Sequence, residues 1–418
     1  MTAVAQDTMT AAPESLQPRD EADLVAAVQW AAANKKTFEV IGGGSKRAIG
    51  RAAQWDATLD LSQFRGITLY EPAELVLSAK AATPMHEIET ALAQARQELA
   101  FEPIDYGPLL GRPTGQGTLG GVIAANLAGP RRIKAGAARD HFLGFRAVSG
   151  RGEAFKAGGR VVKNVTGYDL SKLLAGSWGT LAAMTDVTVK VLPRAETEET
   201  VLVHGLADAD AIRALAAAMG SAGEVAGAAH LPAAATAHLP ERVARGAVTA
   251  LRLEGVPPSI RHRRTLLEAL LASYGQVSVL PEAESRALWR AVRNVTPFAA
   301  SDRNDARPVW RISTTPSEGA AVVARIAAQA QAETIYDWAG GLIWLRLAAS
   351  DDAGATIVRT ALRDAGGHAT LIRAPAAVRA SVLVFEPQDA ATTALTKRIK
   401  EGFDPKGVLN PGRMYPGV

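Results

Sequence analysis

The 418-residue sequence contains no cysteine. Disulfides, thiolate-held iron–sulfur clusters and a cysteinyl flavin link are therefore excluded within this chain. Electrons that leave through an iron–sulfur cluster must do so on another chain. Long apolar runs are also missing: no stretch approaches the roughly 18 residues that a membrane span requires. Residues 1–13 carry no Lys or Arg and no apolar core. They do not read as a signal peptide, and a disordered start (1–13) to a cytoplasmic protein is the expectation. Charge of one sign is absent too. With 46 basic against 42 acidic residues the net charge is +4, and without a long basic run this predicts no nucleic-acid partner. The histidines show no paired metal-ligand spacing, so no metal site is expected.

What is present is enough chain for two domains. Asp20 followed by Leu24, Val25, Val28, Ala31 and Ala32 predicts a capped amphipathic helix. Phe38–Ile41 reads as a short buried strand running into glycines. Thr83-Pro84 predicts a helix start with Thr83 as cap, its apolar positions running through Met85, Ile88, Leu92, Ala95 and Leu99. Strands are expected at residues 74–80, 145–149 and 161–162. Asp169 caps a short helix that Gly176 ends. Residues 184–192 alternate as a half-buried strand up to Pro193. Beyond it the composition turns alanine-rich, with strands at Val309–Ser313 and Leu342–Leu347. A last helix is expected to carry Leu395, Ile399 and Phe403 on one stripe. The organisation expected is α+β: domain 14–193, an inserted α+β cap over 194–385, and a segment 386–418 that returns to the first domain.

Three glycine-dense segments stand in the N-terminal half. In Gly42-Gly43-Gly44-Ser45-Lys46, glycines let backbone N–H groups converge on an anion, and Ser45 and Lys46 add a donor and a charge. It is neither G-x-G-x-x-G nor G-x-x-x-x-G-K-[ST], and alone it fits a tight turn equally well. Gly115-Gln116-Gly117-Thr118-Leu119-Gly120-Gly121 leads to Gly129-Pro130-Arg131-Arg132, with five glycines in fifteen residues. The arginine pair suits a phosphate or a partner's surface, and Arg132 equally suits solvent. The third runs from Gly167-Tyr168-Asp169 to Gly176-Ser177-Trp178-Gly179-Thr180. All three together, within about 140 residues, imply a large dinucleotide-like cofactor.

The order of these segments resembles the FAD-binding domain of the vanillyl-alcohol-oxidase-type (PCMH-type) flavoproteins, a fold of two subdomains. The resemblance implies FAD, with Gly42, Gly43, Gly44, Ser45 and Lys46 around the pyrophosphate. It also implies that Thr118, Leu119, Gly120, Gly121, Tyr168 and the backbone from Gly179 through Thr180 to Thr185 line the cofactor. Within that superfamily the chain resembles the FAD-binding subunits of glycolate oxidases. Six segments carry this: Gly129-Pro130-Arg131-Arg132, residues 162–168, Trp310-Arg311-Ile312-Ser313, Asp337-Trp338-Ala339-Gly340-Gly341, Gly366-Gly367-His368-Ala369-Thr370 and Asn410-Pro411-Gly412-Arg413-Met414-Tyr415. Asn410 and Arg413 are expected near the flavin, which should be bound without a covalent link because no histidine lies between Asp20 and Pro84. The resemblance implies two partner chains, a second FAD-binding glycolate oxidase subunit and an iron–sulfur subunit, with any membrane attachment through them. It departs at one point: the Gly-His-x-Gly-Asp-Gly-Asn-x-His strand of many hydroxy-acid dehydrogenases is absent, and residues 336–341 stand in its place.

Oxidation of a 2-hydroxy acid such as glycolate at a flavin needs a cation for the carboxylate and a base for the hydroxyl proton. Arg311 suits the first and His368 the second, with Asp337 to orient the imidazole. Arg311 paired with a cap acid and His368 in an ordinary loop are the plain alternatives. Three functions stay open on the sequence: a flavoprotein subunit oxidising glycolate to glyoxylate, a non-catalytic scaffold subunit, and a stand-alone 2-hydroxy-acid dehydrogenase.

Overall fold

A computed structural model describes residues 14–160, 167–237, 239, 243 and 246–418. The disordered start, the strand at 161–162 and most of the 162–168 motif expected from the sequence lie outside the described residues.

Asp20 caps helix Glu21–Asn34 by accepting from Asp23 N, and Leu24, Val28, Ala31 and Ala32 are its buried face. That face covers a small parallel sheet in the order Glu14–Leu16, Ala57–Asp60, Phe38–Ile41. A second, antiparallel sheet follows in the order Ile67–Glu71, Val76–Lys80, Ala182–Lys190, Phe142–Ser149, Ala154–Gly158. Helix Met85–Gln94 and the short helix Leu119–Ala124 pack on its apolar side.

The third sheet has eight antiparallel strands drawn from residues 197–373. Both of its faces are buried. Val201 and Val203 point to one core and Leu202 to another, as a period of two requires. Strand Leu342–Leu347 is accordingly apolar at five of six positions and buried at all six. Helices Asp208–Met219, Pro257–Leu271, Gly319–Ala327 and Ala355–Leu362 cover the outer face, and the inner face packs on the first domain. The chain end then returns: Leu409 pairs with Phe38, and Asn410 N donates to Phe38 O.

Three local expectations differ from the structure. The Thr83 hydroxyl does not cap the next helix; it donates to Lys80 O and accepts from Gly66 N, and Pro84 takes the cap position. That helix ends at Gln94, because Gln97–Glu98 is drawn off as a strand against Leu192–Pro193. The stripe on helix Ala390–Phe403 is largely unburied: Leu395 is 49% exposed, and the buried residue is Lys400. The Lys400 ammonium is held by Thr180 O, Leu409 O and Asp404.

Candidate functional site

A cleft of about 720 Å³ lies where the small parallel sheet meets the antiparallel one. Strand Phe38–Ile41 delivers residues 42–47 to one wall. Thr118, Gly120, Gly121, Ala124 and Ala125 form another, and Trp178, Gly179, Ala182, Met184 and Arg413 close it. Small residues dominate because backbones must come close. A Cβ on Gly43 would stand 2.3 Å from Gln116 O, which no side chain tolerates. Gly179 has φ +74°, and a Cβ there would meet Asn410 Nδ2 at 2.8 Å.

Several polar groups of the cleft are short of partners. Among the described residues, the backbone N–H groups of Gly43, Gly44, Ser45 and Lys46 donate to no protein acceptor. Thr118 caps helix Leu119–Ala124 by accepting from Gly121 N. Among the described residues the Lys46 ammonium donates only to Ser45 Oγ, at 3.2 Å. Desolvation brings it down to about 8; Asp105 opposes this and Arg413 adds to it. Arg413 donates to Lys46 O at 2.9 Å and lies 5.6 Å from the Trp178 ring centroid. Its Nε is buried with no acceptor among the described residues, and burial pulls the guanidinium down to about 10. Trp178 is held in the left-handed region at φ +54°, strain of a kind that concentrates at binding sites. Asn410 fixes it: the Asn410 side chain donates to Trp178 O and accepts from Val40 N.

Of the residues read from the sequence as cofactor-lining, Gly42, Gly43, Gly44, Ser45, Lys46, Thr118, Gly120, Gly121, Gly179 and Arg413 meet at this cleft. Five do not line it. Leu119 is fully buried in the core. Asn410 stands one layer behind as the clasp. Tyr168 is 93% exposed in the turn before the Asp169 cap. Thr185 faces away, because Ala182 and Met184 take the cleft side of an alternating strand; its hydroxyl donates to Arg146 O and Asp186 Oδ2. Thr180 donates to Ser177 O and closes a turn. Trp178 lines the cleft without having been singled out for it, although it stands inside the Gly176–Thr180 turn, a signal available in the sequence. Ala182 and Met184 line it from within the 179–185 stretch whose backbone was expected there.

A second constellation sits on the cap sheet. Trp178 packs edge-on to Phe385 at 5.7 Å, and the adjoining Glu386 accepts from Ala369 N beside His368. Arg311 and Arg132 both lie over the Trp338 ring, at 5.1 and 4.5 Å from its centroid. Neither has a carboxylate at ion-pair distance among the described residues. Trp338 and Ala339 are both left-handed, at φ +52° and +56°, and Trp338 Nε1 donates to Gly129 O. Burial lowers Arg311, with Tyr106 opposing, and lowers Arg132, with Asp140 opposing. The Tyr106 hydroxyl, raised by burial, feels Arg311 in return. His368 opens strand His368–Arg373 and keeps solvent exposure. Partial desolvation and then Arg311 push its imidazolium below the ordinary range, which favours a neutral ring.

Asp337 does not orient His368. Its carboxylate is buried and accepts from Trp338 N at 2.7 Å, and the charges acting on His368 are those of Arg311, Glu386, Arg132 and Arg359. Burial raises Asp337 to about 7. The structure also separates the arginine pair. Arg131 is buried among Glu98, Glu102 and Glu254, while Arg132 turns to Trp338. Nothing in two adjacent identical residues distinguishes them. No group of three or more acids and histidines among the described residues is placed to hold a metal ion.

Comparison with known proteins supplies the family. A family model described as an FAD binding domain matches residues 15–158. Another, described as FAD linked oxidases, C-terminal domain, matches residues 383–414. The chain is 33% identical over 393 residues to glycolate oxidase subunit GlcE of Escherichia coli (strain K12), covering 94% of this chain and 96% of that one. It is 42% identical over 85 residues to glycolate oxidase subunit GlcD of Bacillus subtilis (strain 168), covering 20% and 18%. Among solved structures it is similar to 4-ethylphenol oxidase from Gulosibacter chungangensis, with TM-score 0.72 and 13% identity, over 96% of this chain and 89% of that one. At that identity the likeness is one of fold.

Proposed function

The chain belongs to the FAD-linked glycolate oxidase subunits of the GlcE type, and from that premise we propose that it holds FAD non-covalently in the cleft of Lys46 and Arg413 and receives a small 2-hydroxy carboxylate at Arg132, Arg311 and His368. The observation that carries the reading is a pair of desolvated cations without acid partners beside a run of free backbone N–H groups. A pyrophosphate supplies the charge this wall lacks. Among the described residues the cleft lining contains no histidine, cysteine or tyrosine, the residue types from which a covalent flavin link is made.

Bound flavin supplies the acceptor for the substrate's α-hydride. The chain's own part is binding and proton handling. Arg311 and Arg132, stacked on one indole, present guanidinium forks to the carboxylate. Neutral His368 takes the hydroxyl proton at its free ring nitrogen. Electrons then leave to partner chains, a second flavoprotein subunit and an iron–sulfur subunit, since this chain has no thiolate to ligate a cluster. Among the described residues no helix is long and apolar enough to cross a membrane, and membrane contact through the partners completes the proposal.

A second reading is a flavin-holding scaffold that does not turn over substrate. It is favoured by one observation: among the described residues, no hydrogen bond orients the His368 ring. The test is the visible spectrum of the purified chain, followed by anaerobic glycolate. A flavin released by acid, and bleached by glycolate before release, is the expected result. A flavin that stays oxidised supports the scaffold. A chain that takes up no FAD on reconstitution overturns both.

A further inference from the structure

Away from the cleft, a second cavity of about 1,060 Å³ opens between the two domains. Helix Met85–Gln94 and strand Gln97–Glu98 form one side, and helix Glu282–Arg293 of the cap forms the other. Six arginines line it, Arg131, Arg194, Arg252, Arg286, Arg290 and Arg293, against the three carboxylates Glu89, Glu98 and Glu102.

The floor is charge-matched. Arg131 pairs with Glu98 and Glu254, Arg252 with Glu102 at 2.8 Å and Glu198 at 3.0 Å, and Arg286 with Glu282 at 2.8 Å. Of these, Arg131–Glu254 and Arg252–Glu102 cross from one domain to the other, and all but Arg286–Glu282 are mostly buried. Such an arrangement is costly to leave half-paired. The floor therefore keeps its own partners and offers little to a ligand.

The mouth is different. Arg194, Arg290 and Arg293 have no carboxylate at ion-pair distance among the described residues, and the one side-chain hydrogen bond among them runs from Arg293 Nε to Asn294 Oδ1. Glu89, the remaining lining acid, is raised by burial despite Arg293 nearby. Arg194, Arg290 and Arg293 thus line a roomy cavity that reaches the buried Trp289, Leu92 and Leu99, with Arg194 and Arg290 exposed at its rim. Arg194 comes from the junction of the domains, and Arg290 and Arg293 stand one turn apart on a cap helix.

We infer that this interdomain cavity binds a small oxyanion of two or more negative charges, carboxylate- or phosphate-bearing, through Arg194, Arg290 and Arg293. The site goes beyond the flavin reading and uses none of its residues. Arg194 N donates to Arg96 O of the first domain, so an anion bridging Arg194 and the cap helix draws the cap against that domain.

The test uses the full chain loaded with FAD, so that the flavin cleft is filled. Citrate and inorganic phosphate are titrated by calorimetry and by thermal unfolding, with sodium chloride at matched ionic strength as control. Saturable binding with a rise in melting temperature is expected, and a loss of at least tenfold in affinity in R290Q/R293Q and in R194Q, with FAD content unchanged. Tighter binding of citrate assigns a polycarboxylate ligand; tighter binding of phosphate assigns a phosphorylated one. Binding no stronger than the chloride control, or equal in wild type and variants, overturns the proposal.

Discussion

Lys46 offers the sharpest test of the flavin cleft. Its ammonium is held at about 8 by desolvation, with one hydroxyl for company. An incoming pyrophosphate favours the charged form and lifts that pKa toward the ordinary 10.5. The sign follows from linkage: binding takes up a proton wherever the free site is deprotonated and the bound site is not. FAD affinity is therefore full below pH 7 and declines as pH rises through 8. If the bound form returns to its ordinary value, the dissociation constant weakens about tenfold between pH 7 and pH 9. FAD binding to apoprotein, followed by flavin fluorescence at constant ionic strength, reads this directly. Lys46→Arg, which stays charged, flattens the profile while keeping affinity. Lys46→Gln flattens it at a weaker constant, matching the wild type at high pH. A steep profile surviving in Lys46→Gln, or a flat one in wild type, refutes the assignment of Lys46 to the phosphates.

Other variants probe the clasp and the cap. Asn410→Ala strips partners from Val40 N and Trp178 O; at about 1–3 kcal/mol for each group left unpaired, urea denaturation should show a loss of about 2–6 kcal/mol. Asp337, raised to about 7 in the fold, opposes stability progressively as pH climbs from the ordinary carboxylate range to 7, because the folded chain then binds the extra proton. Asp337→Asn can keep accepting from Trp338 N, so its melting temperature should exceed that of wild type at pH 8 and converge with it near pH 4. Replacing Arg311 by Lys loses a fork aimed at a carboxylate, and the glycolate KM of the assembled enzyme should rise about tenfold or more; an unchanged KM removes Arg311 from the substrate site. Arg132→Gln should act in the same direction, whereas Arg131→Gln should lower stability by breaking a buried ion network.

The sequence by itself determined the features that are local. Asp20 and Asp169 cap their helices because a carboxylate and an N–H three residues on are fixed neighbours. The alternation after residue 184 appears as a strand, and the glycines of 42–44 stand where backbone meets backbone. The absence of cysteine rules out a thiolate-held cluster in this chain. Tertiary structure decided what depends on direction and on distant partners. Pairing of Gln97–Glu98 with Leu192–Pro193 cut a helix that local periodicity continued to Leu99. One residue of register turned Thr185 away from the cleft. A turn exposed Tyr168, and a backbone N–H took the Asp337 carboxylate that was expected to reach His368. Adjacent Arg131 and Arg132 are identical in sequence, yet one is locked in an interdomain ion network and the other lies on Trp338. Their roles were set by residues 98, 254 and 338, up to about two hundred positions away, and no local pattern carries that information.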